Sequence, residues 1–260
     1  MKTNAATLLN LNGQTALISG ASGHIGQQIA RTLAGAGAKL VLHGHKNRDA
    51  AEALADDVRQ NGGQALVLMA DLAEPEAAKA LIADAQKNDF APEILVNNAA
   101  RQDVVALGEM TEADWRAMFD ATLHSAFALS SAVCGALIRQ GKPGAVVNIA
   151  SIEGLAAAAG HAHYASAKAA LLHFTRAAAL EYGPHHIRVN AVSPGLINRP
   201  GLDKDWPDGV ARWKANAPLG RLGTSDDVAN AVLYLCSPMA SWVSGENLIV
   251  DGGMLSGPNW

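Results

Sequence analysis

A chain of 260 residues, 49% hydrophobic and 17% charged, holds enough apolar mass for one large domain or two small ones. Its net charge of −4, with no long basic run, argues against nucleic acid or an anionic membrane as the main partner. Cys134 and Cys236 sit in apolar helical patterns, the first residues lack a signal peptide's apolar core, and nowhere do 18 apolar residues run together, so a cytoplasmic location is expected.

The first strand is expected at TALIS (15–19), and a helix follows in which Ile25, Ile29 and Leu33 recur until Gly37. Between them lies SGASGHIG (19–26), with Gly20, Gly23 and Gly26 spaced three apart. A strand that enters such a turn and opens a helix is the setting for a dinucleotide pyrophosphate. Glycines let the backbone approach it, and the free N–H groups of the helix favour the anion. Ser22, Gly23, His24, Ile25 and Gly26 would form that cradle, the alternative being a plain tight turn.

Further strands are expected at KLVLH (39–43), ALVLMA (65–70), EILVN (93–97), AVVNIA (145–150), IRVNAV (187–192) and NLIV (247–250). All are short and continuously apolar, as strands covered on both faces should be. Helical patterns fill 49–60, 75–87, 112–139, 163–182 and 225–236. This alternation predicts one α/β domain over 1–260, a Rossmann-type doubly wound seven-stranded parallel sheet with helices on both faces. Scarce aromatics, 5% of the chain, fit close helix–sheet packing. The one long irregular piece, 194–216, with Trp206 and Trp213, reads as a substrate loop.

Chemistry-bearing residues gather where such a sheet holds its ligands. Tyr164 and Lys168 in YASAK (164–168) are four apart on one helix face, and Ser151 follows the fifth strand at its carboxyl end. Hydride transfer to a carbonyl needs a proton donor for the developing alkoxide. A tyrosine with a nearby ammonium, which favours the phenolate, suits both directions. With NNAA (97–100), RVNAVSPG (188–195) and SGENLIVDGG (244–253), the chain resembles the short-chain dehydrogenase/reductase family from about residue 11 to 253. The glycine turn fits two branches: Gly20 and Gly26 match T-G-x-x-x-G-x-G of the compact one, with Ser19 for threonine and His24 for the middle glycine. The actual spacing also fits the longer branch, T-G-x-x-G-x-x-G. The later motifs favour the compact, single-domain branch.

The resemblance implies an NAD(P)-dependent enzyme interconverting a secondary alcohol and a ketone. Ser151 would orient the oxygen, and Tyr164 would exchange the proton. Lys168 would lower the tyrosine's pKa and hold the ribose. It further places Asp71 at the adenine amino group, with Leu72 beside it. Asn97, Asn98 and Ala99 would border the cofactor from the fourth strand, and Pro194, Gly195 and Ile197 from the sixth. It implies a homo-oligomer, commonly a tetramer. Two positions depart: Thr122 stands where the family carries an asparagine, and Arg199 where relatives often carry a threonine. Arg199 could instead meet an anionic substrate.

At the end of the second strand, Gly44 stands where an NAD-type acid would accept from the ribose. With His45, Lys46 and Arg48 following, a phosphate is favoured, hence NADP, with NAD possible. His24 would donate to that phosphate or rest on the helix terminus, and Asp49 is expected as a helix cap. The pairs His43/His45, His161/His163 and His185/His186 have no third ligand at recognisable spacing, so no metal site is expected. Glu153 would meet a polyol, repel an acid or face solvent. Rival readings are an NAD-dependent polyol or sugar dehydrogenase, an isomerase or dehydratase using the cofactor transiently, and a non-enzymatic nucleotide-binding protein.

Overall fold

All seven apolar runs form strands: β1 (Thr15–Ile18), β2 (Lys39–Gly44), β3 (Ala65–Met69), β4 (Ile94–Asn97), β5 (Gly144–Ile149), β6 (Ile187–Pro194) and β7 (Asn247–Val250). In the computed structural model, which describes residues 5–74 and 76–257, they pair in parallel in the order β3-β2-β1-β4-β5-β6-β7. Leu17 aligns with Val41 on one side and Leu95 on the other. The chain winds outward from β1 through β2 and β3, then returns to lay β4 on the opposite side of β1. Strand order therefore reverses between β1 and β4, which opens a crevice at the carboxyl ends of the strands.

The helices are α1 (Ala5–Leu8), α2 (His24–Gly35), α3 (Arg48–Gln60), α4 (Ala77–Lys87), α5 (Glu112–Phe119), α6 (Ser125–Gln140), α7 (Ala162–Tyr182), α8 (Leu202–Asp205), α9 (Pro207–Asn216) and α10 (Ser225–Cys236). Strand alternation decides what each layer buries. Ala16 and Ile18 of β1 join Ile29 and Leu33 of α2, Leu54 and Val58 of α3, and Val228, Val232 and Leu235 of α10. Leu17, pointing the other way, joins Leu81 and Ile82 of α4, Leu129, Val133 and Leu137 of α6, and Ala178 of α7. Both faces are covered, which is why the strands read as unbroken apolar runs.

Several boundaries and fillings differ from the sequence reading. The helix expected over 75–87 runs from Ala77, Pro75 lying outside the described residues. Asn47 rather than Asp49 caps α3, accepting from the Ala50 N–H at 3.1 Å, while Asp49 sits in the first turn. The single helix expected at 112–139 is broken into α5 and α6 by a widened π turn, Asp120–His124, in which the Ser125 N–H reaches back to the Asp120 carbonyl. The segment Glu112–Gln140 is long and apolar enough to cross a membrane, but half of its most apolar stretch is buried in this fold. The segment 194–216, read as irregular, contains α8 and α9. Leu202, Val210 and Leu222 form a small core of their own there, with Leu196 and Trp213 packed on it.

Candidate active site

The turn after β1 is held from three sides. Ser19 Oγ accepts from the Asn98 and Ala99 N–H groups at 2.9 and 3.0 Å, tying the turn to the end of β4. The Asn98 side-chain amide donates to the Ser19 and Gly20 carbonyls at 3.1 and 3.0 Å. Asn98 thus braces the turn through its side chain, and Asn97 faces the opposite layer. Asn97 Nδ2 donates to Asn148 Oδ1 at 2.8 Å and to Ser130 Oγ at 3.0 Å, and Asn148 passes the chain on to Thr175 Oγ1 at 2.9 Å. The expectation that Asn97 borders the cofactor is therefore corrected: its amide is used in a buried network tying β4 and β5 to α6 and α7.

The third support is His43, whose role the sequence did not disclose. The Gly20 N–H donates to His43 Nδ1 at 3.3 Å, so Nε2 carries the hydrogen and donates to the Ala70 carbonyl at 3.1 Å. Burial pushes this imidazole's pKa down. Its contribution to stability is full above about pH 6.5 and is lost as pH falls through that lowered value.

The geometry of the turn suits a pyrophosphate. Gly23 caps α2 with no side chain to block the first-turn N–H groups. His24 begins the helix in the open, Ile25 packs partly on the core, and Gln27 Nε2 donates to the Ser22 carbonyl at 2.8 Å. Gly20 has φ +62°, and a Cβ on Gly26 would stand 2.5 Å from the Gly20 carbonyl oxygen and 2.8 Å from Asn98 Nδ2. The last glycine lets helix and turn touch backbone to backbone. Gly26→Ala is expected to lower Tm by roughly 2–10 °C and to weaken nucleotide binding. Calorimetry and a nucleotide titration check it, and an unshifted Tm would show that the turn gives way freely.

At the end of β2, the space where a side chain at Gly44 would begin is filled by Met69 Sδ at 2.8 Å. No carboxylate replaces it from the strand. His45 Nε2 instead lies 3.2 Å from Asp71 Oδ2, both half-exposed, while Asp71 Oδ1 accepts from the Ala73 N–H. Two residues expected to make separate cofactor contacts thus hold each other. Lys46 is exposed, Arg48 reaches Glu52 at 3.5 Å, and Leu72 is partly buried against the α4–α6–α7 layer.

Across the crevice, β5 delivers Ser151, and α7 delivers Tyr164 and Lys168; all three are buried. A Cβ on Gly154 would meet the α7 backbone at Lys168, 2.9 Å away, so this glycine seats the serine turn directly on the helix. Lys168 Nζ donates to the Ile149 carbonyl at 2.6 Å and lies 5.5 Å from the centre of the Tyr164 ring. Burial pushes the Tyr164 phenol up to about 12; the Ser151 hydroxyl pulls it back and the Glu153 carboxylate adds to the rise. Burial likewise pushes Lys168 down to about 7. The expected acidification of the phenol by Lys168 is thus not what this structure shows. The ammonium is tied to a carbonyl and is itself pressed toward neutrality.

Thr122 lies buried in the π turn, its hydroxyl 3.8 Å from Met118 Sδ, and Met118 packs on Tyr164. After β6, the Gly195 N–H donates to the Val250 carbonyl at 2.9 Å, and Ile197 bridges Gly223. Arg199, open to an anionic substrate in the sequence reading, is paired with Asp205 at 2.8 Å in the open. Among the described residues, no three His, Cys, Asp or Glu side chains converge.

With this geometry in view, comparison with known proteins is direct. The family described as enoyl-(acyl carrier protein) reductase matches residues 20–255. The chain is 37% identical to 7alpha-hydroxysteroid dehydrogenase of Escherichia coli over 246 residues, 94% of this chain and 95% of that one. It is 35% identical over 249 residues to the same organism's 3-oxoacyl-[acyl-carrier-protein] reductase FabG, 95% of this chain and 99% of that one. The structure of a gluconate 5-dehydrogenase from Burkholderia cenocepacia, in complex with NADP and tartrate, superposes with a TM-score of 0.92 at 31% identity, covering 98% of this chain and 100% of that one. The chain belongs to the short-chain dehydrogenase/reductase family of NAD(P)-dependent oxidoreductases.

Proposed function

We propose that this protein is an NADP-preferring oxidoreductase that interconverts a secondary alcohol and a ketone. The observation that carries the reading is the convergence of Ser151, Tyr164 and Lys168 at the carboxyl end of β5, beside the strand-order reversal. A bound nicotinamide would accept or supply the hydride. The chain's own residues handle the oxygen and its proton. The Ser151 hydroxyl holds the reacting oxygen, and the Tyr164 hydroxyl donates to it as the alkoxide develops. Lys168, anchored on the Ile149 carbonyl, favours the phenolate that results only while it holds its own proton, and would also hold the nicotinamide ribose. A screen of alcohols and ketones with both cofactors, read by nicotinamide absorbance, tests the proposal. Stoichiometric NADPH consumption with a ketone supports it, and silence across a broad panel overturns it.

The preference for NADP rests on the adenosine side. Gly44 offers no acid to a ribose hydroxyl, and His24, His45 and Lys46 are exposed near the turn and the end of β2. His45 shares Asp71, so Lys46 supplies the unshared charge for a 2′-phosphate. Lys46→Glu is expected to reduce the ratio of NADP to NAD affinity about tenfold, the worth of one charged hydrogen bond. Nucleotide titrations measure it, and equal affinities in the wild type would remove the argument.

We also infer a homo-oligomer in the cytoplasm. Phe127 on α6 and Leu180 on α7 are 56% and 80% exposed, apolar side chains that a second copy would cover. Cys134 and Cys236 are free and buried, compatible with a reducing compartment.

A further inference from the structure

Beside the proton-transfer residues, Glu153 and His161 form a pair for which the reaction described so far has no use. Glu153 Oε2 lies 2.7 Å from His161 Nδ1, and the two side chains are only 18% and 16% exposed. An ionised carboxylate can only accept, so Nδ1 carries the hydrogen. The other ring nitrogen, Nε2, is left to accept from a hydroxyl, or to donate when the ring is charged. Nε2 is buried and has no hydrogen-bond partner among the described residues. Leaving such a group unpaired costs about 1–3 kcal/mol, which a ligand could recover.

The pair is also fastened to the reacting groups. The Glu153 N–H donates to Ser151 Oγ at 3.1 Å, and the Glu153 carboxylate acts on the Tyr164 phenol. The His161 ring stands edge-on to the Tyr164 ring, with centroids 5.9 Å apart and planes at 64°. A group bound to the His161 ring would therefore lie in the neighbourhood of the Tyr164 side chain.

We propose that the Glu153–His161 pair sets substrate specificity: His161 Nε2, oriented by Glu153, binds a hydroxyl on the carbon next to the reacting one. The substrate class is then a vicinal diol and its α-hydroxy ketone, a conclusion that rests on the alcohol–ketone reading above. Charge selects the hydroxyl over a carboxylate. With Glu153 beside it the pair is neutral at most, and negative when the ring is neutral, so a second anion meets repulsion while a hydroxyl simply donates. The segment 101–106, which forms no helix or strand, is tied down next to His161 by the Val105 N–H to the Gly160 carbonyl at 2.9 Å. Because Nε2 is enclosed, a neighbouring segment such as this one must yield when a ligand binds there.

Erythrulose and butanone share a four-carbon skeleton and the position of the carbonyl, and differ only in hydroxyls. With NADPH, the wild type is expected to show the higher kcat/KM for erythrulose, and His161→Phe to cut the erythrulose-to-butanone ratio about tenfold or more. Glu153→Gln, which keeps an acceptor for the Nδ1 hydrogen, is expected to retain most of that ratio, and Glu153→Leu to lose it. A second readout needs no turnover: in protein carrying isotopically labelled histidine, erythrulose shifts the His161 Nε2 resonance and butanone does not. An equal loss on both ketones in His161→Phe, or a resonance indifferent to erythrulose, overturns the proposal and leaves the alcohol–ketone reading intact. A shifted resonance with no NADPH oxidation overturns that reading and leaves the hydroxyl site standing.

Discussion

Tyr164→Phe is expected to lower kcat for ketone reduction by about 10²–10⁴-fold, the usual worth of a positioned proton donor. The ring packs on Met118, Phe119 and Ala167, and phenylalanine keeps all of that surface, so Tm and nucleotide affinity should hold. The pKa of the phenol explains why so much rests on one hydroxyl. Pushed up to about 12 by burial, it keeps its proton across the neutral range, as an acid serving a developing alkoxide must. Once the proton has left, Lys168, with Nζ 5.5 Å from the ring centre, steadies the phenolate only while it keeps the proton that burial loosens. Steady-state kinetics on the best ketone, with calorimetry as the control for folding, decide the matter. A variant that keeps more than about a tenth of wild-type turnover would place the proton donor elsewhere.

The sheet was legible because both of its faces are covered: TALI, KLVLH and AVVNI could only be buried strands once helical patterns separated them. That Ser151, Tyr164 and Lys168 come together was legible for a similar reason, since a four-residue spacing on a helix and a serine just past a strand place themselves. What failed to show in the sequence depends on contacts between distant segments. Asn97 and Asn98 are adjacent and look equivalent, yet strand alternation sends one amide into the α6–α7 layer and the other into the glycine turn. His43 reads as one member of a histidine pair until the turn is folded onto it. The break between α5 and α6 leaves no mark because no proline or glycine interrupts the helical pattern from Glu112 to Cys134. Only the i to i+5 bond of Ser125 shows where the extra residue was taken up. Proline and glycine around Trp206 concealed α8 and α9, whose short apolar faces pack on each other rather than on the sheet. The expectation that Lys168 lowers the Tyr164 pKa fails because residue types give charges but not burial, and burial drives the phenol up.

Lys168→Met should make the cofactor-free protein more stable while removing most of its activity. The ammonium is wholly enclosed, and burial pushes its pKa from 10.5 down to about 7. At 1.36 kcal/mol per pH unit, that shift is a cost of roughly 4–5 kcal/mol at neutral pH. Methionine fills similar space without charge, and the Ile149 carbonyl it leaves unpaired returns about 1–3 kcal/mol of the gain. A net rise in Tm of about 2–10 °C at pH 7 follows. The sign of the pH dependence is fixed as well. Between about 7 and 10.5 the unfolded chain holds a proton on this lysine that the folded chain has lost, so wild-type stability climbs with pH. The clean window ends near pH 9. There Cys134 and Cys236, pushed up to about 12 by burial, begin to favour the unfolded chain, whose thiols ionise first. From pH 7 to 9 the wild type should therefore gain up to about 1.4 kcal/mol per unit, and Lys168→Met should show no such slope. Denaturant titrations at three pH values measure both. Equal slopes, or a variant less stable than the wild type at pH 7, would mean that the folded protein keeps this lysine charged, and an anionic partner for it would have to be sought in the crevice.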